Sequence, residues 1–124
     1  MAVICQLAAA LAGLVHIVIF YLEAVAFTQP RIYRRFQVAT DEQAETIGPW
    51  AFNQGFYNLF LAIGTITGVI VWLAGRMHAG RSLVGFGCAC MLGAALVLLG
   101  TDRRMARAAL LQGVFPLVAL ATLW

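Results

Sequence analysis

Four long apolar runs, separated by polar connections, set the pattern of the chain. The first runs from Val3 to Phe27, and only Gln6, His16 and Glu23 in it are strongly polar. The second runs from Pro49 to Ala74, just before Gly75-Arg76, the third from Ser82 to Thr101 and the fourth from Ala106 to Trp124. Each is long enough to compare with the roughly 20 residues that an α-helix needs to cross a bilayer's hydrocarbon core. None has the strict alternation of a barrel strand, and in lipid a backbone without such pairing is satisfied only as helix. The pattern therefore predicts an all-α fold, an integral membrane four-helix up-and-down bundle forming one domain over residues 1–124. Pro49 is expected at the first position of its helix, where its missing N–H costs nothing.

The first connection, Thr28 to Gly48, is the long one. Pro30 is expected to stop the first helix. Arg31-Ile32-Tyr33-Arg34-Arg35-Phe36 mixes basic and aromatic residues, which suits a segment lying among lipid headgroups. Thr40 reads as an N-cap, with Gln43 completing a capping box. Two readings stay open for this segment: an interfacial linker helix with a solvated acidic face, or a lid over a cavity facing the cytoplasm. Gly64 with Gly68, and Gly85 with Ala89 and Gly93, have the small-residue spacing that lets helices approach closely.

Composition narrows the class further. Hydrophobic residues make up 63% of the chain and charged ones 10%, against about 25% charged in a soluble domain, and mean hydropathy is +0.91. No separate soluble domain is expected. The net charge of +3 comes from arginine, lysine being absent, and the arginines sit at helix ends. That placement argues against nucleic acid as a partner and makes them topology signals. Six arginines in the first and third connections against Arg76 and Arg81 in the second predict those two connections in the cytoplasm and both termini outside. The opening residues lack the basic region of a secretory signal, so the first helix is expected to be retained. Cys5, Cys88 and Cys90 all lie in apolar runs and read as small buried hydrophobes.

The candidate chemistry centres on Glu23. A carboxylate in a membrane helix costs about 2.5–3.5 kcal/mol at mid-span, so it usually faces a partner or a cavity. His16 lies on the same helix stripe, seven residues earlier, about 10 Å along the axis and out of direct bonding range. In the second helix Asn53 and Tyr57 are one turn apart, as are Gln54 and Asn58; the fourth helix adds Gln112 and, after it, Pro116. Apart from His16, nearer the midplane, all the polar side chains lie toward the predicted cytoplasmic surface, which predicts one polar cluster. No residue set converges as a metal site, no cofactor is implied, and no phosphate loop or nucleophile elbow is present.

His16, Ile19, Phe20 and Glu23, followed by Asn53-Gln54-Gly55-Phe56-Tyr57-Asn58 and then Gln112 and Pro116, resemble the pattern of domain-of-unknown-function family 1304. Its members are small bacterial four-helix membrane proteins. The likeness covers essentially the whole chain, departs at Phe52 where the family often has a small residue, and implies fold and membrane location but no reaction. The leading functional expectation is a membrane-embedded acid/base enzyme of isomerase or cyclase type, acting on a small hydrophobic molecule. In it Glu23 is the proton donor or acceptor, His16 a second acid/base or substrate-orienting group, and Asn53, Gln54, Tyr57, Asn58 and Gln112 line the substrate pocket. A small-molecule binding or proton-coupled transport protein is the alternative, and a structural or accessory subunit the third reading. Membrane lipid is the expected environment, a bacterial inner membrane the expected location, and a homo-oligomer is left open.

Overall fold

The computed structural model describes all residues, Met1–Trp124. It is all-helical. Helix α1 spans Ala2–Phe20 and continues as a widened π-turn over Tyr21–Val25. A short α2 covers Pro30–Tyr33, followed by a 3₁₀ turn at Arg34–Phe36; then come α3 (Asp41–Leu73), α4 (Met77–Thr101) and α5 (Ala106–Ala121). Four stretches, Ala2–Val25, Asp41–Leu73, Met77–Thr101 and Arg103–Ala121, are long and apolar enough to cross a membrane.

The long helices pack as a ring. Helix α1 lies against α3, α3 against α4, α4 against α5, and α5 closes back onto α1, while the diagonal pair α1 and α4 barely touch. Short connections between antiparallel neighbours produce this up-and-down order. Backbones come close where side chains are small. Gly13 sits under Ile66, Gly68 lies against Val84 and Leu83, and Gly87 faces the Thr65 hydroxyl. The expected Gly64/Gly68 pair is used only at Gly68, because Gly64 has open space where a Cβ would go, and so does Gly93 in α4.

Three boundaries differ from the expectation, the first being that of α4, which starts at Met77 rather than Ser82 and so takes in Arg81. Pro49 stands inside α3 rather than at its start, and Pro30 is the first residue of α2 rather than simply a stop. The stronger start signal lies upstream. Thr40 has extended backbone and its Oγ1 accepts the Gln43 N–H at 3.2 Å. The Gln43 side chain bonds back to the Ala39 N–H at 3.1 Å, one residue before the position a capping box normally serves. Pro49 deprives the helix of one hydrogen bond, to the Glu45 carbonyl, and the helix continues through it. At 33 residues and 1.5 Å per residue, α3 is about 50 Å long, against about 30 Å of hydrocarbon. Its opening turns therefore stand outside the apolar layer.

Those turns hold the linker. Phe27, Tyr33, Val38, Ala44 and Ala51 form a buried cluster with Phe36 packed against it, and the Phe27 and Phe36 rings lie 5.7 Å apart. The Tyr33 hydroxyl donates to the Asp41 carboxylate. Gln37 takes a left-handed conformation at φ 64°, which turns the chain from the 3₁₀ segment toward the start of α3.

The opposite end is built from a second cluster that includes Cys5, Ala9, Trp72, Val84, Cys88 and Ala119. Here the Arg81 guanidinium lies over the rings of Trp72 and Trp124, 5.5 and 4.9 Å from their centres. It also donates to the Leu123 carbonyl. Cys5 and Cys88 are fully buried free thiols, and the Cys5 thiol donates to the Ala119 carbonyl at 3.2 Å.

Candidate functional site

Glu23 sits in the π-turn. The turn is closed by the Ala26 N–H bonding to the Tyr21 carbonyl at 2.9 Å, five residues back. Such single-turn bulges are frequent at functional sites because they re-aim a side chain without ending the helix. Two contacts hold the bulge against α3. The Phe20 ring meets Phe56 edge-on, with centroids 5.2 Å apart. Gly55 lets the backbones close up: a Cβ there would lie 2.9 Å from the Ala24 Cβ, 3.0 Å from its nitrogen and 3.2 Å from the Glu23 Cβ.

One turn beyond Gly55, Asn58 is 7% exposed, and its Nδ2 donates to Glu23 Oε2 at 2.8 Å. The same nitrogen donates to the Gln54 carbonyl at 3.2 Å. Both amide hydrogens are thus used, which fixes the amide and with it one carboxylate oxygen. The one ion pair of the protein joins Arg104 to Asp102, so no cation of the protein reaches Glu23.

Beside Glu23 lies an open cleft of about 700 Å³ lined by ten residues, among which Glu23 is the only ionisable one. Phe36 and Val38 of the linker form one wall. Pro49, Trp50, Asn53 and Gln54 of α3 form another. Trp50 is 80% exposed. The linker therefore walls the cleft that contains the acid.

The predicted residues divide three ways. Glu23, Asn53 and Gln54 line the cleft, and Asn58 stands behind Glu23 as its hydrogen-bond donor. His16 is 1% exposed and does not line the cleft; its Nδ1 faces the Ala12 carbonyl at 2.9 Å. A carbonyl only accepts, so the ring carries its proton on Nδ1 and is satisfied within its own helix. Tyr57 is 59% exposed on the outer face of α3, and Gln112 is half-buried on α5 without a hydrogen bond to Glu23. The single polar cluster expected from the sequence is thus reduced to Glu23 with three amides. No three of the His, Cys, Asp and Glu side chains come together as a metal site.

Sequence reasoning did not single out Gly55 as a packing residue, nor the aromatic wall of Phe27, Phe36 and Trp50. The signal for Gly55 was its place three residues before Asn58, on the face that meets the acid. The aromatic wall depends on how the linker folds back, which no periodicity in the chain announces.

No curated protein and no solved structure matches the chain. A family model described as a protein of unknown function does match it, over residues 10–124, and the chain belongs to that family, domain-of-unknown-function family 1304.

Proposed function

We propose that the protein is a membrane-embedded acid/base enzyme of the single-carboxylate kind, which binds a small hydrophobic molecule in the cleft and exchanges a proton with it at Glu23. One observation carries the reading. Glu23 presents a carboxylate with one oxygen fixed by Asn58 and the other, Oε1, without a donor from the protein, at a cleft of ligand size. An isomerase that moves one proton away and returns it elsewhere needs one such group within hydrogen-bond reach of its substrate. Asn53 and Gln54 supply polar contacts that orient a substrate, and the aromatic wall supplies apolar area. His16 plays no direct part in this version, since its ring is sealed in the bundle.

The transport reading is supported less well. The end away from the cleft is filled by the cluster around Trp72 and Cys88 and closed by Arg81 between two tryptophans, leaving access from one side. For placement we propose a bacterial cytoplasmic membrane, with the linker and the connection around Arg103 in the cytoplasm and both termini outside. The arginine asymmetry supports this orientation.

The test uses the purified chain in lipid nanodiscs, incubated in D2O with a total lipid extract from its host. Mass spectrometry should find a small hydrophobic compound that gains deuterium at carbon with the wild type and not with Glu23→Gln. A compound that co-purifies but acquires no label would make the cleft a binding site rather than a catalytic one.

A further inference from the structure

The cleft's charge balance says something about the ligand. A carboxylate at membrane depth is normally matched by a cation or a proton, and the lining around Glu23 contains no arginine, lysine or histidine. The protein's one ion pair is elsewhere. Asn58 donates to one carboxylate oxygen and leaves the other open. Phe27, Phe36 and Trp50 line the same cleft, and the negative faces of aromatic rings attract ammonium groups, with tryptophan the best of them. Asn53 and Gln54 add amide oxygens able to accept further N–H bonds. Every polar group on the wall can therefore receive a hydrogen bond, and the one charged group is negative.

We propose that the cleft recognises a primary ammonium group carried on an apolar body. The ammonium lies beside the Glu23 carboxylate, attracted by its charge and donating to the amide oxygens of Asn53 and Gln54, which leaves Oε1 for the proton step. The apolar part lies on the aromatic wall. This rests on the reading of the cleft as a small-molecule site and adds the class of ligand to it. The same chemistry arrives from two sources, a free amphipathic amine or the ethanolamine headgroup of a membrane lipid.

The experiment measures binding of 2-phenylethylammonium, and of its neutral isostere 2-phenylethanol, to the full chain. The nanodiscs are made of phosphatidylglycerol alone, then with phosphatidylethanolamine added. The wild type should bind the ammonium at least about tenfold more tightly than the alcohol, and Glu23→Gln should lower the ammonium to the alcohol's level. Trp50→Ala, at an exposed position, should weaken the ammonium several-fold with the helical circular dichroism unchanged. That variant keeps the test decisive even if Glu23→Gln folds poorly. Loss of probe binding on adding phosphatidylethanolamine identifies the headgroup as the source, and persistence identifies a free amine; either result supports the proposal. Equal binding of amine and alcohol, abolished by Trp50→Ala, would overturn the ammonium assignment and leave the cleft as a small-molecule site. If neither probe binds the wild type, both the assignment and the reading of the cleft fall.

Discussion

The two ends of this bundle are made from the same few ingredients, glycine, aromatic rings and a charged side chain packed near them, and use them in opposite ways. At the end where α3 turns into α4, Gly80 brings the backbones together so closely that a Cβ would lie 2.5 Å from the nitrogen and Cβ of Trp72. The charge there, on Arg81, is covered by two indole rings and given a carbonyl to bond. At the linker end Gly55 brings α3 against the π-turn, and the charge, on Glu23, is given half a partner and left facing a space. A membrane protein that needed only stability would treat both charges alike. The difference is what supports placing the proposed site at the linker end.

The comparison breaks most visibly at the closed end. Gly80→Ala sets a methyl group against the Trp72 backbone, which cannot move aside as a flexible side chain would. Overpacking of this kind typically costs about 1–3 kcal/mol, and the backbone contact puts Gly80→Ala at the upper end, near 3 kcal/mol. Thermal unfolding in detergent should show the loss, while binding at the cleft, on the far side of the bundle, keeps its wild-type ratio of ammonium to alcohol. An equal loss of both would mean that the two ends are not independent.

Gly55→Ala makes the complementary break. The added methyl meets Ala24 and the Cβ of Glu23, so the π-turn must shift by a few tenths of an ångström. The expected cost is about 2 kcal/mol, with cleft binding reduced by a larger factor than stability alone explains. Asn58→Ala is milder. A membrane hydrogen bond averages about 0.6 kcal/mol, and a half-buried acceptor left bare adds to that, so about 1 kcal/mol of destabilisation is expected. A double-mutant cycle with Glu23→Ala, which removes the acceptor, should return a coupling of that size, and a coupling near zero would show that the bond contributes nothing in the membrane.

Much of this was legible in the chain, for reasons that differ by element. The four spans are plain because lipid removes every alternative to helix for long apolar runs. Glu23 and Asn58 are plain because ionisable and amide groups at that depth need partners. Two start signals competed for α3, Pro49 and the Thr40/Gln43 cap; the cap prevails because Ala44 and Ala51 are buried against the linker, so the opening turns are held by packing. Tyr57 was misplaced because a spacing of four residues shows which side chains share a face, not which neighbour that face meets. Gln112 was drawn into the cluster on depth alone, whereas α5 packs on α1 and α4 and the cleft lies between the linker and α3. The cleft itself depended on residues 26–40 folding back, and a chain reversal through a left-handed Gln37 leaves no hydrophobic period to read.

The smallest effect is the one that sharpens the comparison at the linker itself. The Tyr33 phenol is raised above its ordinary range, first because its hydroxyl donates to the Asp41 carboxylate, with burial and the Asp41 charge acting the same way and Arg34 opposing. The folded state thus holds this proton more tightly than the unfolded one. The contribution is fully present below the unfolded tyrosine value of about 10 and is lost as pH rises through the raised folded value, when phenolate and carboxylate would face each other. Hydrogen exchange across Arg34–Thr40 should therefore quicken beyond its intrinsic pH dependence only in strong alkali. Tyr33→Phe should exchange slightly faster throughout and show no alkaline step. The closed end has no phenol–carboxylate pair, so Tyr33→Phe should leave exchange at Trp72 and Val84 unchanged at every pH. If Tyr33→Phe alters exchange at Trp72 too, the linker does not open as a separate unit, and the cleft's wall is as fixed as the sealed end it was contrasted with.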